Sequence, residues 1–182
     1  MNDSDKLKAM YEAVREQDPS LFKVHYTLPV PQGSRGGEYF YAKKLADGTF
    51  QLNNIPFFAT NLGIDDIVKT KDVGDKNEYN APEITKIVRK GSKTVLIHIG
   101  QLTKHTLPAD AKKVIRSVWQ YLESNKVRYE HGFAGYAAVA LPLEMTDAEF
   151  RKLLLDSPEP FVVVDKFDLS GCKCAKCGKA FK

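Results

Sequence analysis

The sequence predicts an α+β protein in two parts, a small β-barrel-like subdomain followed by a ferredoxin-like β-α-β-β-α-β sandwich. Two observations predict this fold class. Residues 22–90 hold short β-rich runs separated by turn-forming residues, which is typical of a small, strongly curved sheet. After Gly91, strand and helix periodicities follow one another in the β-α-β-β-α-β order. We therefore expect four units: an N-terminal helix within residues 1–20, the barrel-like subdomain at 21–90, the ferredoxin-like subdomain at 91–168 and a tail at 169–182.

The first predicted element is an amphipathic helix over residues 5–17. Its apolar side chains recur at the spacing of one helical face; they are Leu7, Met10, Tyr11 and Val14. Asp3 or Ser4 can cap its start. The helix is expected to end near Asp18, because Pro19 disfavours helical backbone at the residue before it.

Five short strands are predicted for the barrel-like subdomain: Lys23–Pro29, Glu38–Leu45, Thr49–Asn54, Asp66–Thr70 and Glu83–Arg89. The Asp47-Gly48 pair between the second and third of them is a strong hairpin signal. The apolar run at residues 55–59 predicts the core of this subdomain. Neighbouring strand residues point to opposite faces, so we expect the carboxylates of Asp65 and Asp66 not to share one site.

The subdomain after Gly91 is predicted to hold four strands and two helices. The strands are Thr94–Ile99, Val127–Phe133, Tyr136–Leu141 and Phe161–Phe167, and the helices are Pro108–Ser124 and Asp147–Leu155. The second helix opens with Thr146 and Glu149 at capping-box spacing. We expect the two helices to cover one face of the sheet and to leave the other face open.

That open face is the predicted partner-binding surface. Strand alternation lines it with Leu96, His98, Arg128 and Glu130. Sequence separation alone does not assemble a nucleophile, a base and a group that orients the base. The sequence therefore favours binding over catalysis.

Charge is distributed unevenly along the chain. The net charge is +4, and the segment 171–182 carries four Lys and no acidic residue. The remaining chain has 23 basic and 23 acidic residues, so it lacks the charge excess that is usual for a nucleic-acid-binding domain. No apolar run approaches the roughly 20 residues that cross a membrane. We expect a cytoplasmic protein.

All three cysteines stand in the tail, at Cys172, Cys174 and Cys177. Cys-x-x-Cys-Gly is half of a zinc-ribbon site, so the tail predicts zinc bound by thiolates. Zinc takes four ligands, and the fourth would come from a His, a second chain or water. The alternatives are a basic tail with free thiols, and nucleic-acid binding through the tail.

The four histidines are His25, His98, His105 and His131. No two are spaced as a metal pair on one helix, and an ordinary hydrogen-bonded role is expected for each. A hydrolase with its site between the subdomains would use His98, His105 and His131. RNA binding on the sheet is a further alternative, since Ile97-His98-Ile99 is similar to the first-strand motif of RNA-recognition domains. The third strand, however, offers one aromatic residue for base stacking, Tyr136.

One segment carries a family resemblance. The residues are Gly48-x-Phe50-x-Leu52-x-x-Ile55-Pro56-Phe57-Phe58-Ala59, followed by Asp65-Asp66-Ile67-Val68. This pattern resembles a bacterial family of uncharacterised domains, the domain of unknown function 4265, and the resemblance extends over residues 23–165. It implies a two-part α+β architecture. It supplies no established activity, so no catalytic residue is carried over.

The sequence as a whole predicts a non-enzymatic bacterial binding or regulatory protein that acts on a protein partner. Neutralising a toxin, as immunity proteins do, is one concrete version of that role.

Overall fold

The structure, a computed structural model, describes residues 18–28, 36–74, 79–99, 108–131, 136–159 and 161–164. The predicted N-terminal helix, His105 and the three cysteines lie outside the described residues, as does the side chain of His131. The strands are β1 Leu21–Thr27, β2 Gly37–Lys44, β3 Phe50–Leu52, β4 Ile67–Lys71, β5 Glu83–Arg89, β6 Lys93–Ile99, β7 Arg128–His131, β8 Tyr136–Leu141 and β9 Phe161–Val164, and the helices are α1 Pro108–Ser124 and α2 Asp147–Leu155.

The first five strands form a closed barrel, which confirms the predicted barrel-like part. Consecutive strands pair antiparallel, and a parallel contact between β1 and β5 at His25 and Glu83 closes the ring. Two register shifts between β4 and β5, each with one extra residue on β5, add twist, which a small barrel needs in order to close. The inward side chains are apolar and buried; they are Val24, Phe40, Ala42, Phe50, Leu52, Val68 and Ile84.

The hairpin predicted at Asp47-Gly48 joins β2 to β3. Gly48 has φ +82°, a backbone conformation that residues other than glycine rarely adopt. The Asp47 carboxylate accepts hydrogen bonds from the Thr49 backbone N–H at 3.0 Å and from its hydroxyl at 2.6 Å. Local turn chemistry therefore sets the register of this pair.

Strands β6 to β9 form a four-stranded sheet in the order β7-β8-β6-β9, with every neighbouring pair antiparallel. One face packs against the two helices around a core that includes Ile97, Val118, Leu122 and Val139. Both helices have the predicted limits. The capping box is also confirmed, because Thr146 Oγ1 accepts from the Glu149 N–H at 3.2 Å and the Glu149 carboxylate accepts from the Thr146 N–H at 2.7 Å.

The other face of this sheet is not open at its centre, and that expectation was wrong. Leu96, Ala138 and Ala140 are buried there, packed with Ile55, and Phe57 and Ile64 pack against the same cluster. All three covering residues belong to the connection between β3 and β4. The barrel part of the chain therefore lies on the sheet face that the sequence left free.

The apolar run 55–59 has a different role from the predicted one. Ile55 and Phe57 pack against the sheet, whereas Ala59 alone of the run joins the buried barrel core. Phe58 is 51% exposed. The hydrophobicity of this run predicts a position in the barrel core. In the structure, the run instead packs mainly between the barrel and the four-stranded sheet.

A buried aspartate ties the barrel to the start of β6. Asp66 is fully buried, and its carboxylate accepts from the backbone N–H of Gly63 at 2.9 Å, from that of Gly91 at 2.7 Å and from Lys90 Nζ at 2.7 Å. A side chain at Gly91 would clash with the backbone of Asp65. These contacts satisfy a charge that would otherwise be costly to bury.

Candidate functional site

A cleft of about 640 Å³ lies where β7, the end of α1 and the connection after β3 meet. It opens broadly to solvent, and its volume is in the range usual for ligand sites. Its lining comes from both parts of the chain: Asn53, Asn54, Ile55, Ile64, Glu123, Lys126, Val127, Arg128, Tyr129 and Glu130. Two of the four predicted partner-binding residues, Arg128 and Glu130, are among them.

On the barrel side of the cleft, hydrogen bonds between side chains and backbone N–H groups hold the connection after β3 in place. Asn54 Oδ1 accepts a hydrogen bond from the Tyr41 N–H at 2.8 Å, which anchors the connection to β2. Glu130 Oε2, from the sheet, accepts from the Ile55 N–H at 3.1 Å. Ile55 is 4% exposed, so this N–H would lack a partner without the carboxylate.

A second carboxylate holds the next turn of the same segment. Glu38, on β2, accepts from the backbone N–H groups of Phe57 at 2.6 Å, Phe58 at 3.0 Å and Ala59 at 2.8 Å. Consecutive N–H groups that converge in this way form a concave site suited to an anion. Here the protein's own side chain occupies it.

Glu130 is an ionisable group of the cleft whose pKa is displaced from its ordinary value. Burial raises the pKa of its carboxyl, and the negative charge of Glu38 raises it further, while the hydrogen bond from the Ile55 N–H acts in the opposite direction. In the part of the chain that the structure describes, no Lys or Arg lies within 4 Å of this carboxylate. The cleft thus contains a half-buried acid that has no salt-bridge partner among the described residues.

The helix side of the cleft is aromatic. The Tyr129 ring stacks on Trp119, with 4.5 Å between ring centroids and 12° between planes. The Tyr129 hydroxyl donates to Glu123 Oε1 at 2.7 Å. Burial, together with Glu123, raises the pKa of Tyr129 to about 12, so the phenol stays neutral and acts as a donor at physiological pH.

Arg128 already has a partner across the junction. Its guanidinium donates to Asp65 Oδ2 at 2.6 Å, and Gln51 Nε2 donates to the other carboxylate oxygen at 3.0 Å. Asp65 and Asp66 therefore have different partners, as predicted. The Arg128 side chain is 54% exposed, so this pair contributes modestly to stability.

The other two predicted partner-binding residues lie elsewhere on the sheet. Leu96 is 3% exposed beneath the barrel segment, and His98 is half-buried against the Tyr136 ring at 4.5 Å between centroids. Tyr136, the aromatic residue on which RNA stacking would depend, is 7% exposed. Base stacking needs an accessible ring face, so this geometry does not favour RNA binding on the sheet.

The histidines do not gather around the cleft in the described part of the chain. None of the ten lining residues is a His, Cys, Ser or Thr. His25 lies on the barrel against Tyr39, where burial lowers its pKa. No group of three His, Cys, Asp or Glu suited to a metal ion occurs among the residues that are described, and the cysteine tail is not among these.

Sequence reasoning missed the barrel side of the cleft and Tyr129. The sequence predicts Ile55 as part of the barrel core and gives Ile64 no role, because apolar periodicity does not reveal what an apolar face packs against. Tyr129 alternates with Arg128 and Glu130 on β7, so it was placed on the helix-covered face. The cleft extends round the sheet edge and takes residues from both faces.

Comparison with known proteins gives two matches. A family model described as "Domain of unknown function (DUF4265)" matches residues 38–160, which is more than half of the chain. A solved structure described as "Novel crystal structure of a hypothetical protein from Neisseria gonorrhoeae" is similar with a TM-score of 0.51 and 18% identity, covering 78% of this chain and 92% of that one. At this identity the likeness concerns the fold alone. No curated protein matches the chain, and no helix in the described ranges is long and apolar enough to cross a membrane.

Proposed function

This chain belongs to the DUF4265 family, and we propose that it is a non-enzymatic binding protein whose cleft receives a segment of a partner protein. We further infer that the sheet and its two helices form a ferredoxin-like sandwich. The strand order β7-β8-β6-β9 with antiparallel neighbours supports this assignment, as does the β-α-β-β-α-β order along the chain.

The observation that carries the proposed function is that the cleft lies along an edge strand. Within the described residues β7 pairs with β8 on one side only, and its residues Arg128, Tyr129 and Glu130 line the cleft. An edge strand presents backbone N–H and C=O groups with which an extended peptide can pair. The partly buried Ile64 supplies an apolar contact beside that edge, and Ile55 and Val127, each 4% exposed, form the base of the cleft.

The chemistry of the lining also supports binding over catalysis. The pKa of Tyr129 is raised to about 12, so its phenol stays protonated at physiological pH, and Arg128 forms a salt bridge with Asp65. General acid–base catalysis works best with groups that titrate near the working pH. Glu130 is the one lining group with a pKa displaced toward neutrality, and a single carboxylate without a nucleophile beside it is better suited to recognition.

Neutralisation of a toxin in the cytoplasm is one concrete form of this function. Such a protein acts by covering a surface of its target and needs no reaction of its own. A groove formed by two parts of the chain, with aromatic, apolar and charged walls, has the mixed composition that protein interfaces use.

Site-specific photo-cross-linking tests the proposal. A benzophenone side chain placed at Lys126, an exposed residue of the cleft, is expected to give one discrete protein adduct in the native host. The control places the same group at Lys86, exposed on β5 of the barrel.

The adduct alone is not sufficient. The captured protein, once purified, must shift the methyl NMR signals of Ile55, Ile64 and Val127. Equal adducts from both positions, or no shift of these methyl signals, would contradict the proposed function.

A further inference from the structure

We propose that the cleft selects a basic side chain, Arg or Lys, of the bound segment, and that this side chain pairs with Glu130. The inference rests on the proposed function and adds the chemistry of the partner. It concerns one contact, at a defined place on β7.

The first argument is that Glu130 has no counter-charge within 4 Å in the part of the chain that the structure describes. Proteins pair charges that they remove from water, because an uncompensated charge is costly to bury. Asp66, a fully buried carboxylate, illustrates this with Lys90 at 2.7 Å, and the same cost applies in part to the half-buried Glu130. Among the described residues, Glu130 has only the neutral N–H of Ile55.

The second argument is that the carboxylate has acceptor capacity left. Its two oxygens provide about four lone-pair sites, and the Ile55 N–H uses one of them. The cleft's own guanidinium is committed, since Arg128 donates to Asp65 at 2.6 Å. A donor from outside can therefore bind Glu130 without displacing a partner.

The third argument is the electrostatic and apolar setting. Glu38 lies near enough for its charge to act on Glu130, so the potential at this end of the cleft favours a cation. The partly buried Ile64, with Ile55 and Val127 beneath the surface of the cleft, suits the aliphatic stem of a long basic side chain. Arg and Lys combine such a stem with a charged end, and other side chains do not.

The test uses two matched sets of acetylated, amidated hexapeptides. Each peptide carries either Arg or citrulline at the same inner position and Val or Thr at the flanking positions, so that only the charge differs. Binding is followed by the methyl NMR signals of Ile55, Ile64 and Val127 in the full chain. We expect the Arg peptides to bind about tenfold more tightly, the ratio that corresponds to about 1.4 kcal/mol and lies at the low end for a charge-assisted hydrogen bond.

Glu130→Gln is expected to reduce that ratio to less than about twofold, because the amide keeps an acceptor for Ile55 but loses the charge. Glu144→Gln is the matched control, since it removes an exposed carboxylate outside the cleft and should leave the ratio unchanged. Glu130→Asp, which keeps the charge, checks that any loss does not arise from altered folding.

The outcomes separate this inference from the proposed function. Equal binding of the Arg and citrulline peptides to the unmodified protein overturns the inference and leaves the cleft as a peptide site. A preference for Arg that persists in E130Q also overturns it. If neither set moves any cleft methyl signal at millimolar concentration, the proposed function fails and the inference fails with it.

Discussion

Glu38 and Glu130 stand on different sheets, yet both bind the backbone of residues 55–59. Glu38 on β2 accepts the N–H groups of Phe57, Phe58 and Ala59, and Glu130 on β7 accepts that of Ile55. The two negative charges are close enough for Glu38 to raise the pKa of Glu130. One segment therefore links the barrel to the sheet through two carboxylates that repel each other.

The first prediction concerns the pH dependence of folding. The pKa of Glu130 is above its ordinary value of 4.5 in the folded state. Between these two pKa values, the folded protein therefore binds more protons than the unfolded chain. The contribution of Glu130 to stability therefore decreases as the pH rises from about 4.5 through the raised pKa, and is constant above it. In urea unfolding from pH 4 to pH 8, the stability of the unmodified protein relative to E130Q should decrease over this window, because groups with lowered pKa values, such as Glu83 and Glu149, act in both proteins alike. An unchanged profile in E130Q, measured beside E123Q as control, would refute the assignment.

A second prediction addresses the shared segment. Glu38→Ala leaves three backbone N–H groups without their acceptor and should lower the free energy of unfolding by about 1–3 kcal/mol. Glu130→Ala should lower it less, because one such bond is lost. Since both act on residues 55–59, the double variant should deviate from additivity by more than about 0.5 kcal/mol. Strict additivity in denaturant unfolding would show that the two carboxylates act independently.

The neighbouring aspartates give a matched pair for the third prediction. Asp66→Asn removes the charge of a fully buried carboxylate, which pairs with the partly exposed Lys90, and should cost about 3 kcal/mol. Asp65→Asn weakens an exposed pair with Arg128 and should cost less than about 1 kcal/mol. Asn suits the positive φ of Asp65, so backbone strain does not confuse the comparison. Equal losses in urea unfolding would contradict the structural role of Asp66.

The fourth prediction is that the cysteine tail binds zinc. Protein produced with zinc present should retain about one ion per chain, held by Cys172, Cys174 and Cys177 with a fourth ligand from elsewhere. Metal analysis should show its loss in Cys177→Ser and in a chain that ends at residue 168. A full-length chain without metal under these conditions would leave the free-thiol reading as the correct one.

The basic tail also carries the alternative of nucleic-acid binding, which is the fifth prediction. Four Lys between residues 171 and 182 could neutralise up to four phosphates of a single strand. The logarithm of the binding constant would then fall with the logarithm of salt concentration with a slope of about −3, near 0.7 per contact. Fluorescence anisotropy with a single-stranded RNA should show this slope and lose it when residues 171–182 are deleted. Salt-independent binding, or binding that survives the deletion, would exclude the tail as the site.

The sequence by itself determined the features that depend on nearby residues. The hairpin at Asp47-Gly48, the capping box of Thr146 and Glu149 and the limits of both helices follow from local turn chemistry and from periodicity over a few turns. The order of strands and helices follows for the same reason. Alternation along β7 also placed Arg128 and Glu130 on one face.

Only the tertiary structure decided what lies against that face. Ile55 binds Glu130 from 75 positions away, and the same connection covers Leu96, which the sequence had left exposed. Periodicity reveals that a side chain is apolar and which face it shares, but burial is nonspecific and does not name the surface that covers it. The cleft exists because two separate parts of the chain pack together, and that contact is a property of the folded molecule.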